Sequence, residues 1–77
     1  MKDSELREYV LFLLEEAGFP PEQYIVKTGI SSVEVHFDSP GAVEYFRGEV
    51  EMCDRADDLI FEHRTFGKRY VAYIQIW

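Results

Sequence analysis

The chain has a single cysteine, Cys53, so it has no internal disulfide to staple it. No Cys-x-x-Cys pair is present, and His36 and His63 lie far apart in sequence. Neither a metal-ligand set nor a nucleophile with an assigned base and orienter can be read from such spacing. Gly29, Gly41, Gly48 and Gly67 are isolated, each with its own turn, cap or kink reading, and do not gather into a phosphate-cradling loop. Apolar runs stop far short of the roughly 20 residues of a membrane span, and none resembles the apolar core of a signal peptide. Basic charge is scarce: eight Lys and Arg stand against fifteen Asp and Glu, giving a net charge of −7. These absences set the first expectations. The protein is expected not to be an enzyme, to need no metal or cofactor, and to reside in a reducing cytoplasm. Nucleic acid and anionic membranes would repel it before any specific contact formed, so a basic protein surface is the favoured partner.

What is present is enough to fold. Hydrophobic residues make up 47% of the 77 residues and aromatics 16%, too rich for a disordered tail. A chain of this size fits one domain, residues 1–77, able to bury about 60% of its unfolded surface. Its charge is sorted along its length. Residues 38–62 carry eight carboxylates against only Arg47 and Arg55, while residues 63–77 are net basic by three.

Leu6, Tyr9, Val10, Leu13, Leu14 and Ala17 recur at helical spacing and predict a helix over Ser4–Ala17. Asp3 or Ser4 is the expected cap, and Gly18 with Pro20 and Pro21 the expected stop. The opposite stripe holds Glu5, Glu8, Phe12, Glu15 and Glu16, which sets one large aromatic ring among four carboxylates. Tyr24–Thr28 and Ser31–Phe37 alternate as strands around Gly29 and Ile30, a loop suited to a type II′ turn with glycine first. That register faces Tyr24, Val26 and Thr28 with Val35, Val33 and Ser31, and turns Ile25, Lys27, Ser32, Glu34 and His36 the other way.

Asp38 or Ser39 followed by Pro40 predicts the start of a second helix running toward Ala56. Its apolar side is read as Ala42, Tyr45, Phe46, Met52, Cys53 and Ala56, with Val43 and Val50 at one margin. Glu44, Glu51, Asp54 and Asp58 fall opposite, interspersed with Arg47 and Arg55. Gly48 weakens the helix by about 0.8 to 1 kcal/mol relative to alanine, and with Glu49 inside the apolar arc it predicts a kink. Leu59–Arg64 and Arg69–Trp77 form a second hairpin through a two- or four-residue loop. Leu59, Phe61 and His63 share a face with Tyr70, Ala72 and Ile74, while Ile60, Glu62, Arg64, Arg69, Val71, Tyr73, Gln75 and Trp77 face outward. Both sides of the final strand are apolar, as in a strand internal to a sheet.

The expected fold is therefore α+β: a two-layer αββαββ sandwich, with a four-stranded mainly antiparallel sheet and both helices on one face. Moving the last strand to the front would give βαββαβ, a permuted ferredoxin-like order, and fold alone does not give function. Three functional expectations follow. The leading one is an acidic protein-binding module whose carboxylate rows (Glu5, Glu8, Glu15, Glu16, Glu44, Glu51, Asp54 and Asp58, with Phe12 as apolar anchor) occupy the basic groove of a nucleic-acid-handling complex. Small phage-encoded inhibitors of CRISPR or restriction machinery act in this manner. The second is a homodimer associating through Val71, Tyr73 and Trp77 on the open sheet face. The third is RNA binding through the same aromatics, which the net charge opposes.

Overall fold

The first apolar stripe folds as predicted from its spacing. In the computed structural model, which describes residues 1–77, helix α1 spans Asp3–Glu16 and buries Leu6, Val10, Leu13 and Leu14. Its N-cap is Lys2, without a side-chain cap, so neither Asp3 nor Ser4 takes the expected role; both lie inside the first turn. Its C-terminus is better finished. Gly18, at φ +84°, donates to Glu15 O, and Phe19 N donates to Leu14 O, the paired bonds of a Schellman ending that a left-handed glycine permits. Phe19 is thereby turned into the core, 5.0 Å from Phe37 between ring centroids.

Strands β1 (Tyr24–Gly29) and β2 (Ser32–Phe37) form the first hairpin. Tyr24 faces Phe37, Val26 faces Val35, and Thr28 faces Val33, a register two residues away from the sequence expectation. The faces survive because a shift of two preserves side-chain alternation. Gly29 is the last strand residue, and it is Ser31 that takes positive φ, at 54°, so the glycine-first turn is corrected. The shifted register extends the ladder to the Gly29–Ser32 pair and brings Tyr24 against Phe37.

Helix α2 (Pro40–Glu51) opens as predicted: Ser39 Oγ accepts from Ala42 N at 3.1 Å, with Pro40 in the first turn. Three expectations for this helix are corrected. It passes through Gly48 without a break, and it ends at Glu51, well before Ala56. Its buried face is Val43, Phe46 and Val50, whereas Tyr45 is 63% and Met52 88% exposed. The i, i+3, i+7 set of Val43, Phe46 and Val50 aims one β-branched and aromatic ridge at the sheet, so the margin of the predicted arc is its centre. Asp54 and Asp58 consequently leave the helix: Asp54 lies in the following turn and Asp58 in a short 3₁₀ turn over Ala56–Asp58.

Strands β3 (Leu59–Phe66) and β4 (Arg69–Ile76) make the second hairpin around Gly67 and Lys68. Gly67, at φ +59°, supplies the left-handed first turn position that the sequence reading assigned to the other hairpin. The sheet order is β1-β2-β4-β3 with every pairing antiparallel, so β4 is internal as expected. Helix residues Leu6, Val10, Leu13, Leu14, Val43, Phe46 and Val50 meet Val33, Val35, Phe37, Ala72 and Ile74 in one core, with both helices on the same sheet face. No helix is long and apolar enough to cross a membrane.

Candidate functional site

Packing of α1 and α2 side by side on the sheet turns their remaining sides outward, and these carry most of the acid. Glu5, Glu8, Glu15 and Glu16 on α1 are all exposed, as are Glu44, Glu51, Asp54 and Asp58. Their electrostatic situations differ. Arg47 Nε donates to Glu44 at 3.1 Å and its guanidinium reaches Glu51 at 3.8 Å, while Arg55 Nε donates to Asp58 at 3.1 Å. His63 Nδ1, from β3, donates to the second oxygen of Glu44 at 2.8 Å. These pairs follow the i, i+3 and i, i+4 spacing that brings helical side chains together, apart from the contact with His63. The α1 carboxylates, Glu49 and Asp54 have no cation within ion-pairing distance. The acidic residues are thus divided into a neutralised set and an available set.

Glu44 shows the neutralisation directly. Its carboxyl is held below the ordinary glutamate value, chiefly by the His63 hydrogen bond, against a smaller opposing effect of burial and with help from Arg47. Tyr9 moves the other way. Its phenol is raised by burial and by the neighbouring Cys53 thiol, which faces α1 from the turn after α2. Cys53 is half-buried, less than a core position on a longer helix would have given it.

Phe12 sits where its sequence position puts it, 52% exposed among the α1 carboxylates, with its ring stacked on Tyr9 at 6.1 Å. Met52 is exposed across from it, a feature hidden in the sequence by the expectation that α2 would continue and bury it.

The open sheet face has a different character. Val71 is fully buried, although no helix covers it. His36, read from sequence as a surface histidine, is only 7% exposed; it lies in the cross-strand row of Ile25, His36, Val71 and Arg64. Its Nε2 donates to Glu34 Oε1 at 2.9 Å, and Nδ1 is buried without a partner. The Arg64 guanidinium lies over the Tyr73 ring at 3.7 Å and donates to Glu62 from both Nε and Nη2. Gln75 donates to the Tyr73 hydroxyl at 3.3 Å. Of Val71, Tyr73 and Trp77, therefore, one is buried, one lies beneath a cation, and only Trp77, at 83%, is open.

The histidines and the thiol are not brought together: His36 lies on the sheet face, His63 on β3 beside α2, and Cys53 beside α1. No three His, Cys, Asp or Glu side chains gather into a group that could hold a metal ion. Comparison with protein-family models, curated proteins and solved structures finds no match to this chain, so the reading of the site rests on its geometry.

Proposed function

We propose that the protein is a non-enzymatic acidic binding module that lays its helix side on a basic protein surface. In its most concrete form it occupies the Lys/Arg groove with which a nucleic-acid-handling complex holds phosphates, in the manner of anti-restriction and anti-CRISPR inhibitors. The observation that supports this best is the set of exposed carboxylates on α1, continued by Asp54, that the fold leaves without any cation. Successive turns of one helix present charge every 5.4 Å, against one charge per roughly 1.7 Å of duplex axis, so several rows are needed to approach the density of nucleic acid. Glu5, Glu8, Glu15 and Glu16 with Asp54 and Glu49 supply more than one row on the same side of the molecule.

Association through the open sheet face is the second reading: Ile25, Ile60, Phe66 and Trp77 are exposed there, although Arg64 covers Tyr73 and Val71 is buried. The test is a capture at low salt from the source cells, followed by elution with rising salt and with duplex or single-stranded nucleic acid. The module reading expects a basic protein that leaves steeply with salt and is displaced by nucleic acid. Retention of a partner unaffected by either treatment, or recovery of only a second copy of this chain, would overturn it.

A further inference from the structure

Two hollows adjoin on the helix side. One, of about 330 Å³, runs along the first half of α1 toward Arg55; the other, of about 360 Å³, lies between the second half of α1 and the segment from Glu49 to Asp54. Tyr9 and Phe12 line both, so the two are the halves of one groove. Its α1 wall extends from Ser4 to Glu16, about 18 Å at the rise of a helix.

The lining combines two chemistries. Its apolar part is the Tyr9–Phe12 stack beside the exposed, flexible thioether of Met52. Its acidic part is Glu5, Glu8, Glu16, Glu49 and Asp54, none of them ion-paired. Arg55, the one cationic side chain in the lining, is held by Asp58. The acids that Arg47, Arg55 and His63 neutralise, Glu44, Glu51 and Asp58, all lie outside the groove. The groove thus brings five unpaired carboxylates beside the exposed side chains of Phe12 and Met52.

We infer that this groove receives a basic amphipathic helix of the partner protein, about three turns long, with its apolar stripe on Phe12 and Met52 and its Lys or Arg flanks against the lining carboxylates. The inference rests on the acidic-module reading and deepens it by naming the element that docks. Charge selects a basic occupant and argues against a second copy, since each chain carries a net charge of −7. Backbone chemistry selects a helix. The α1 wall has its backbone groups bonded within the helix and offers no strand edge, so an extended peptide would find no backbone partners there, whereas a helix satisfies its own N–H and C=O groups internally.

The experiment uses the full chain and two synthetic Leu/Lys peptides of identical length and composition. One places its leucines on a single helical face and the other distributes them around the helix. Calorimetry should show the amphipathic peptide binding at least about tenfold more tightly, with a gain of helical circular dichroism on binding. Phe12→Ala combined with Met52→Ser should remove that preference, mainly by faster dissociation of the amphipathic peptide. Both side chains are exposed, and circular dichroism of the free variant confirms that the fold is intact. Equal affinity for the two peptides would overturn the groove while leaving the acidic-module reading in place. A preference that survives the double variant would also overturn the groove, and binding without helix gain would overturn the helical occupant. Binding of neither peptide would overturn the groove and the acidic reading together.

Discussion

The helix side and the open sheet face have similar ingredients, carboxylates, aromatics and a few cations, yet they use them in opposite ways. On the sheet, Glu62 and Tyr73 share Arg64, Glu34 holds His36, and Val71 lies buried beneath its neighbours. The polar groups there are largely occupied with one another. Along α1, Glu5, Glu8, Glu15 and Glu16 surround the exposed Phe12 and meet no cation. What separates the two faces is therefore the pairing of their charges, which composition does not report. An exposed ion pair contributes only about 0.2 to 1 kcal/mol, so the pairs matter here less for stability than for the charge they remove from view.

The contrast can be broken first at the level of the core. If the helices provide most of the buried contacts, Phe46→Ala should cost about 3 to 5 kcal/mol. That is much of the roughly 4 to 12 kcal/mol expected for a chain of this length. Val71→Ala, on the face without helices, should cost about 1.5 to 3 kcal/mol. Urea titration followed by circular dichroism measures both, and equal losses would mean that the sheet face carries as much core as the helix side.

The second effect concerns charge. Reversing the unpaired set Glu5, Glu8, Glu16 and Asp54 to Lys should slow association with a basic probe such as oligolysine by roughly 10- to 1,000-fold at low salt. Reversing the paired set Glu44, Glu51 and Asp58 should slow it less, because those charges are already partly neutralised. Stopped-flow measurements across a salt series would distinguish them. Equal slowing would show that only total charge counts.

A smaller change is expected at the stack over Tyr73. Arg64→Met keeps an apolar stem but removes the cation, and should lower stability by about 0.5 to 1 kcal/mol. Sedimentation before and after this change would show whether Arg64 keeps an adhesive ring covered: a new dimer in the variant would sharpen the comparison, and a dimer already present in the wild type would break it.

The smallest effect is the pH response of Glu44. Its carboxyl titrates lower in the folded protein than in the unfolded chain, so its contribution is present above the unfolded value and is lost as pH falls through the folded one. Wild type should therefore lose slightly more stability than Glu44→Gln between neutral pH and about pH 3, and parallel curves would remove the His63 contact as its cause.

Local periodicity made α1, the start of α2 and the faces of all four strands legible in the sequence. Register was not legible to the residue, because shifting β1 against β2 by two positions leaves the same side chains inward. The end of α2 was hidden for a related reason. No proline or glycine stops it near Glu51, and Tyr45, Met52 and Cys53 imitate a buried stripe that Val43, Phe46 and Val50 in fact provide. Of the candidate site, Phe12 and its acidic neighbours could be placed from spacing alone. The Arg47 and Arg55 pairs were also readable at i, i+3 and i, i+4, whereas the His63–Glu44 contact joins residues of different elements and needs the fold. Met52 became visible as part of the groove only once the helix was known to end before it, and the burial of His36 only once Ile25 and Val71 were known to flank it.

The internal position of β4 has a consequence for the order of events during synthesis. β2 and β3 are neighbours of β4 and not of each other, so the β1–β2 hairpin can form early but has no strand to join along its inner edge until residues 69–76 have left the ribosome. Roughly thirty residues separate the end of β2 from the start of β4, an interval of a few seconds at about 5 to 20 residues per second. Throughout that interval β2 keeps its inner edge unpaired, the condition under which strands join to the wrong partner. Completion is then abrupt, since one strand closes both gaps at once. A ribosome that stalls before Arg69 would release no partly working domain, only a segment for chaperones or proteases to remove.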